Sequence, residues 1–210
     1  MSEVLSDFTY SNFSAAILAG GKNSRFNGIN KSFLKIENQF IIDRILAVLK
    51  NIFSEIIIVS NNPEVYADYT EIKIVSDFYK NIGPLGGIHA ALKTAGNSSV
   101  FIVSCDMPFL SKEFIVKQIN SHVKSGKDIS IPQIDDFLEP LHGIYNRNTT
   151  EILENFINTA VNYKIINFYD FVSINYFKVY HSEIEVFTNI NKPDDYQKYI
   201  DKPKIRKDFY

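Results

Sequence analysis

Ala15-Ala16-Ile17-Leu18-Ala19-Gly20-Gly21-Lys22-Asn23-Ser24-Arg25-Phe26-Asn27-Gly28-Ile29-Asn30-Lys31 opens on four apolar residues and then turns polar and glycine-rich. The apolar run reads as a strand covered on both faces, because a short unbroken hydrophobic stretch ended by turn residues is the signature of such a strand. Ala19 to Asn30 reads as a loop leaving its carboxyl end. In an open α/β sheet, ligands bind beyond the carboxyl ends of the strands, so this loop is placed where a site is expected.

The pattern repeats downstream. Residues 42, 45, 46 and 49 in Ile41 to Leu49 are apolar at the spacing of one helical face, and Glu55 to Ser60 reads as a second buried strand. A strand, a helix and a parallel strand make a βαβ unit. Further alternation follows: a short helix at 63–69, a strand at 72–76, a helix at 85–95, a strand at 100–104, a helix at 111–124 and a strand at 128–132. The last third is less regular, with a hairpin turning at Asp135-Asp136, a helix at 149–159, a strand at 174–180 and a closing helix after Pro193. The alternation predicts an α/β fold, a mostly parallel sheet covered on both faces in three α/β/α layers.

A chain of 210 residues fits one compact domain, with a core over about residues 13–200 between a polar N-terminal tail and a basic C-terminal one. Its 45% hydrophobic and 22% charged residues and its net charge of -2 are ordinary for a soluble globular protein and too little basic for an obligate nucleic-acid binder. Cys105 is the one cysteine and has no intramolecular disulfide partner. Glu3 and Asp7 stand where a secretory signal needs an apolar run, and no apolar segment approaches the roughly 20 residues that span a bilayer. A cytoplasmic protein that does not enter the membrane is expected.

Four polar stretches sit where strands end. In the first, the glycines admit a ligand to backbone N–H groups while Lys22, Arg25 and Lys31 can neutralise a polyphosphate. It is neither a G-x-G-x-x-G nor a Walker A sequence, and a long surface loop with solvated lysines would read the same way. In the second, Ser104-Cys105-Asp106-Met107-Pro108, Asp106 is either a Mg²⁺ ligand or a cap on the helix that follows. Cys105 has no activating neighbour in sequence and reads as packing. The third runs from Asp77 through Asn81-Ile82-Gly83-Pro84-Leu85-Gly86-Gly87 into a helix start able to receive an anion or a flat ring. The fourth, Asn189-Ile190-Asn191-Lys192-Pro193, says little by itself beyond a turn before a helix. His89, His122, His142 and His181 lack metal-ligand spacing, and no G-x-S-x-G elbow is present.

Taken in order, these stretches resemble the molybdenum cofactor guanylyltransferase family, a branch of the sugar-nucleotide-type nucleotidyltransferases. The resemblance is carried by Leu18-Ala19-Gly20-Gly21 with Arg25, Gly28 and Lys31 at the family's offsets, and by Asp77 with its later Gly-Pro-Leu-Gly-Gly. Cys105 to Pro108, Pro140-Leu141 and Asn189 to Pro193 complete it. Asn30 stands where the family usually has Asp, Phe26 where Met is usual, and Ser60 where some members have Asn.

The resemblance implies a Rossmann-like nucleotide-diphospho-sugar transferase fold and transfer of GMP from GTP to Mo-molybdopterin, with loss of pyrophosphate. It assigns Leu18, Ala19, Gly20 and Gly21 to the nucleotide, Lys31 to its phosphates with Arg25 beside it, Asp77 to the guanine nucleotide, and Ser60 or Asn62 to the base or ribose. Asp106 would hold Mg²⁺, and Asn189 and Asn191 would face the molybdopterin. Transient contact with molybdopterin-delivering proteins or molybdoenzymes fits that role. A cytidylyltransferase on the same fold, or an accessory that binds nucleotide or molybdopterin without turnover, is the alternative.

Overall fold

The computed structural model describes residues 10–20 and 30–200. At its centre β1 (Phe13–Leu18) lies parallel to β4 (Glu55–Val59) on one side and to β6 (Ser99–Ser104) on the other. β5 (Lys73–Val75) extends the sheet beyond β4. Beyond β6 come β9 (His142–Asn146), β7 (Ile129–Ile134) and β10 (Ile174–Lys178), and β8 (Phe137–Leu138) pairs with β7, giving the order β10-β7-β9-β6-β1-β4-β5. β9 runs antiparallel to both neighbours, so the sheet is mixed, with a parallel half β5-β4-β1-β6. In that half the chain first steps outward from β1 and then returns to its other side. The change of direction opens a crevice at the strands' carboxyl ends.

Side chains alternate along each strand, and the alternation divides the core in two. Ala15, Ile17, Ile56, Ile58, Phe101 and Val103 face the layer formed by α1 (Ile41–Leu49) and α3 (Lys112–Ser125). Ala16, Leu18, Ile57, Val59, Val100 and Ile102 face α2 (Pro84–Thr94), α4 (Thr150–Thr159) and α5 (Ile165–Phe168). The central strands are therefore apolar throughout because both faces are covered. The expected three-layer arrangement is present.

Local chemistry sets the element ends. Ser111 accepts a hydrogen bond from the Phe114 N–H at 3.2 Å and so starts α3, and Gly126 closes it in a left-handed conformation. The 135–136 hairpin joins β7 to β8, with Asp135 at φ 49°. The short helix expected at 63–69 is a 3-10 turn, Pro63–Tyr66. A two-stranded hairpin, β2 (Lys35–Ile36) and β3 (Gln39–Phe40), and the closing helix α6 (Pro193–Ile200) complete the description.

Candidate active site

Four strand ends are stitched into one floor by backbone hydrogen bonds. Ala19 N donates to Val59 O at 2.8 Å, Cys105 N to Leu18 O at 3.1 Å, and Ser60 N to Val75 O at 2.8 Å. Residues leaving β1, β4, β5 and β6 consequently emerge side by side. Above them lies a cavity of about 530 Å³ lined by Leu18, Ala19, Gly20, Ser60, Asn62 and Asp77, together with Asn61, Gly83 and Leu141. Of the glycine loop, Gly21 and Arg25 lie outside the described residues.

At the rim of this crevice Lys31 Nζ sits 3.1 Å from Asp106 Oδ2 and 3.0 Å from Asn191 Oδ1. Three expected site residues, far apart in sequence, meet at one point. The fourth stretch is brought there by Ile190 N, which donates to Asp106 O at 2.9 Å. Asp106 is also fixed by Ser104, whose hydroxyl donates to Oδ1 at 2.6 Å. Both carboxylate oxygens are thus oriented by side chains, and neither caps α3, a task that falls to Ser111. Asn189 donates to Phe187 O at 3.2 Å within its own turn.

Lys31 belongs to a 3-10 turn, Lys31–Phe33, that Asn30 caps by accepting from Ser32 N at 3.0 Å. The same Asn30 side chain donates to the Tyr66 hydroxyl at 3.0 Å, and Ser32 Oγ lies 2.8 Å from that hydroxyl. Tyr66 is fully buried, and burial pushes its hydroxyl above its ordinary pKa, so it stays protonated. Asn30, the departure from the usual Asp, supplies an N–H₂ donor to this anchor where a carboxylate would only accept.

On the opposite side, Asp77 lies against the start of α2. Gly83, at φ 67° and ψ −149°, occupies a conformation open only to glycine and turns the chain into Pro84. A Cβ on Gly86 would stand 2.6 Å from Tyr79 O and 3.3 Å from Asp77 Oδ2, so the absence of a side chain there lets the 77–82 loop close on the helix. Ser60 is buried, and its hydroxyl accepts from Asn62 N at 3.2 Å, which shapes the turn after β4. Cys105 is buried beside the site, and burial followed by the charge of Asp106 pushes its thiol up to about 11. A thiol of that kind is no nucleophile.

Several contributors were hidden in the sequence. Glu139, immediately before Pro140-Leu141, follows the β6–β9 register to the end of β6, where Ser104 N donates to Leu141 O at 3.0 Å. Burial and then the Asp106 charge raise its carboxyl above the ordinary value. Its nearness to Pro-Leu was the available signal. Asn61 and Tyr66 carried none, since each needs the fold to show its partner. Among the described residues, no group of three or more His, Cys, Asp or Glu forms a metal cage.

Residues 15–172 match the MobA-like NTP transferase domain. A probable molybdenum cofactor guanylyltransferase of Clostridium perfringens is 40% identical over 91% of this chain and 98% of its own length. The molybdenum cofactor guanylyltransferase of Syntrophotalea carbinolica is 32% identical over 89% and 90%. The crystal structure of molybdopterin-guanine dinucleotide biosynthesis protein A from Archaeoglobus fulgidus superposes with a TM-score of 0.76 at 27% identity, covering 89% of this chain and 96% of that one.

Proposed function

The chain belongs to the family of MobA-like NTP transferase domains, and from that membership we propose that it is a molybdenum cofactor guanylyltransferase. It joins GMP from GTP to the terminal phosphate of Mo-molybdopterin and releases pyrophosphate. The observation that carries this reading is the meeting of Lys31 with Asp106 and Asn191 beside the cavity that Leu18, Ala19, Gly20 and Asp77 line.

An acceptor phosphate oxygen attacks the α-phosphorus of GTP in line, and the bond from that phosphorus to the bridging oxygen breaks as pyrophosphate departs. A phosphate near neutral pH is already a deprotonated nucleophile, so no side chain needs to act as a base. Two polyanions must approach, and charge neutralisation dominates the task. Lys31 supplies a positioned ammonium at the phosphates. Arg25 and Gly21 are assigned alongside it by the family pattern, and Gly20 offers its backbone to the nucleotide. Asp77 offers carboxylate acceptors to the N1–H and 2-amino donors of guanine, while Ser60 and Asn62 form the wall for base or ribose. Asn191 and Asn189 are assigned to the acceptor.

Asp106 is the proposed Mg²⁺ ligand. Its carboxylate and the Asn191 amide oxygen already converge on one positive charge, the Lys31 ammonium, and hard oxygens of this kind suit a small divalent ion that takes its other ligands from phosphate and water. Held by Asp106, Mg²⁺ would supply Lewis-acid stabilisation of the charge on the phosphates. We place the protein in the cytoplasm, in keeping with its use of GTP; no described helix is long and apolar enough to cross a membrane.

Pyrophosphate release measured over the four NTPs, with and without Mo-molybdopterin, tests the proposal. Release with GTP that depends on the acceptor is expected. Preference for CTP would make the chain a cytidylyltransferase, and nucleotide binding without release would make it an accessory.

A further inference from the structure

Asn61 has no place in the mechanism above, yet it makes the most specific polar contact in the base-side half of the cavity. Its amide Nδ2 donates to Asp77 Oδ2 at 2.8 Å, and its Oδ1 accepts from the Asp77 backbone N–H at 3.3 Å. One exposed amide thus grips both the side chain and the backbone of the same aspartate. The strands beneath hold the two residues in register: Ser60 N donates to Val75 O at 2.8 Å, and the Ser76 hydroxyl to Ser60 O at 3.0 Å. On its other flank Asp77 Oδ2 lies against Gly86, where an added Cβ would approach it to 3.3 Å. Oδ2 is therefore wedged between the Asn61 amide and the first turn of α2. Oδ1 has no hydrogen-bond partner among the described residues.

We propose that Asn61 is the positioning residue for guanine selection, fixing the Asp77 carboxylate in the one rotamer that meets the N1–H and 2-amino donors of the base. The inference rests on the guanylyl reading and deepens it. An aspartate at a strand end, followed by a stretch without regular structure until α2, has free rotation about two side-chain bonds. A carboxylate that wanders also accepts from water or from the 4-amino group of cytosine and discriminates weakly. Held at Oδ2, it keeps Oδ1 and one lone pair of Oδ2 side by side, the spacing of two adjacent donors on guanine. Adenine presents an acceptor at N1, and cytosine presents acceptors at N3 and O2. Both meet a fixed carboxylate as repulsion, and a site built to hydrogen-bond one base rejects others by leaving its own groups unpaired.

The test compares GTP with ITP, which lacks the 2-amino group, in the wild type, Asn61→Ala, Asp77→Asn and the double variant. Steady-state pyrophosphate release gives KM and kcat, and calorimetric binding of each nucleotide gives a readout independent of turnover. Asn61 is exposed, so thermal unfolding of Asn61→Ala should match the wild type. The expected result is a KM for GTP raised about tenfold by Asn61→Ala, with kcat changed far less and the GTP/ITP ratio falling towards unity. Adding Asn61→Ala to Asp77→Asn should then change nothing further, because the first residue acts through the second. Wild-type discrimination in Asn61→Ala, with discrimination lost in Asp77→Asn, would overturn the positioning role alone. Additive losses would overturn it too, by showing that Asn61 touches the nucleotide directly. Retained discrimination in Asp77→Asn would overturn both this inference and the assignment of Asp77 to guanine.

Discussion

Lys31 is held by an acid and an amide on one side and by a capped turn on the other, so its ammonium has little freedom left to lose in the phosphate-binding role proposed for it. Lys31→Met should lower kcat by at least ~100-fold with the thermal midpoint little changed, since a charge placed at a transferring phosphate contributes a few kcal/mol. Asp106→Asn preserves size and hydrogen-bonding shape but removes the anionic oxygen. Turnover should fall steeply and recover little when Mg²⁺ is titrated; a variant working at the wild-type rate at equal Mg²⁺ would remove Asp106 from the chemistry. Tyr66→Phe deletes the hydroxyl shared by Asn30 and Ser32. It should cost about 1 to 3 kcal/mol in urea unfolding, because two partly or fully buried polar groups lose their partner. It should also reduce kcat more than KM, because the turn carrying Lys31 loosens. At this scale the sequence exposed Lys31, Asp77 and Asp106, which stand beside glycines or directly at the ends of strong strands. Tyr66 and Asn61 stayed hidden because a buried tyrosine reads as core and an Asn-Asn pair reads as a turn.

Helix α2 presses its glycines onto the loop below and the strand behind. At Gly87 an added Cβ would first meet the Leu18 side chain, at 3.2 Å, whereas at Gly86 it would meet the backbone carbonyl of Tyr79 at 2.6 Å. A side chain can turn aside and a carbonyl cannot, so Gly86→Ala should cost more than Gly87→Ala, about 1 to 3 kcal/mol by urea unfolding. It should also weaken GTP binding, because the displaced segment begins at Asp77. Equal losses at the two glycines would refute the argument. Strong periodicity made the parallel half of the sheet and helices α1 to α4 legible beforehand. Strand β9 escaped because His142-Gly143-Ile144-Tyr145-Asn146 follows a proline and contains a glycine, and its antiparallel insertion between β6 and β7 is a matter of tertiary pairing. The β2–β3 hairpin escaped for another reason. Its strands are two residues each, and its turn places Glu37 and Asn38 at φ 51° and 68°, a conformation for which glutamate gives no signal.

Across the whole molecule, burial of histidine ties stability to pH. His142 is enclosed by the rings of Phe101, Phe114 and Phe187 and bonded to Gln118, and burial pulls its pKa from 6.5 down to about 4. His122 shifts in the same direction for the same reason. Between those values the unfolded chain binds the proton and the folded one does not. The stability contributed is therefore complete above the ordinary histidine range and is lost as pH falls through it towards 4. About 2 kcal/mol should disappear between pH 7 and pH 5 on account of His142. Urea unfolding at the two values should show the loss, and His142→Phe should shrink it; a flat profile would contradict the burial argument.

The contacts at Lys31 reach 75 residues forward to Asp106 and 160 residues forward to Asn191. During synthesis, the glycine loop, Asp77 and Asp106 leave the ribosome well before the segment that closes the site. A nascent chain ending short of residue 189 can pair β1, β4 and β6, yet it lacks the Asn191 oxygen that lies 3.0 Å from the ammonium. Completion of the Lys31 site thus waits for the last stage of translation, and a chain released early lacks the segment that closes it.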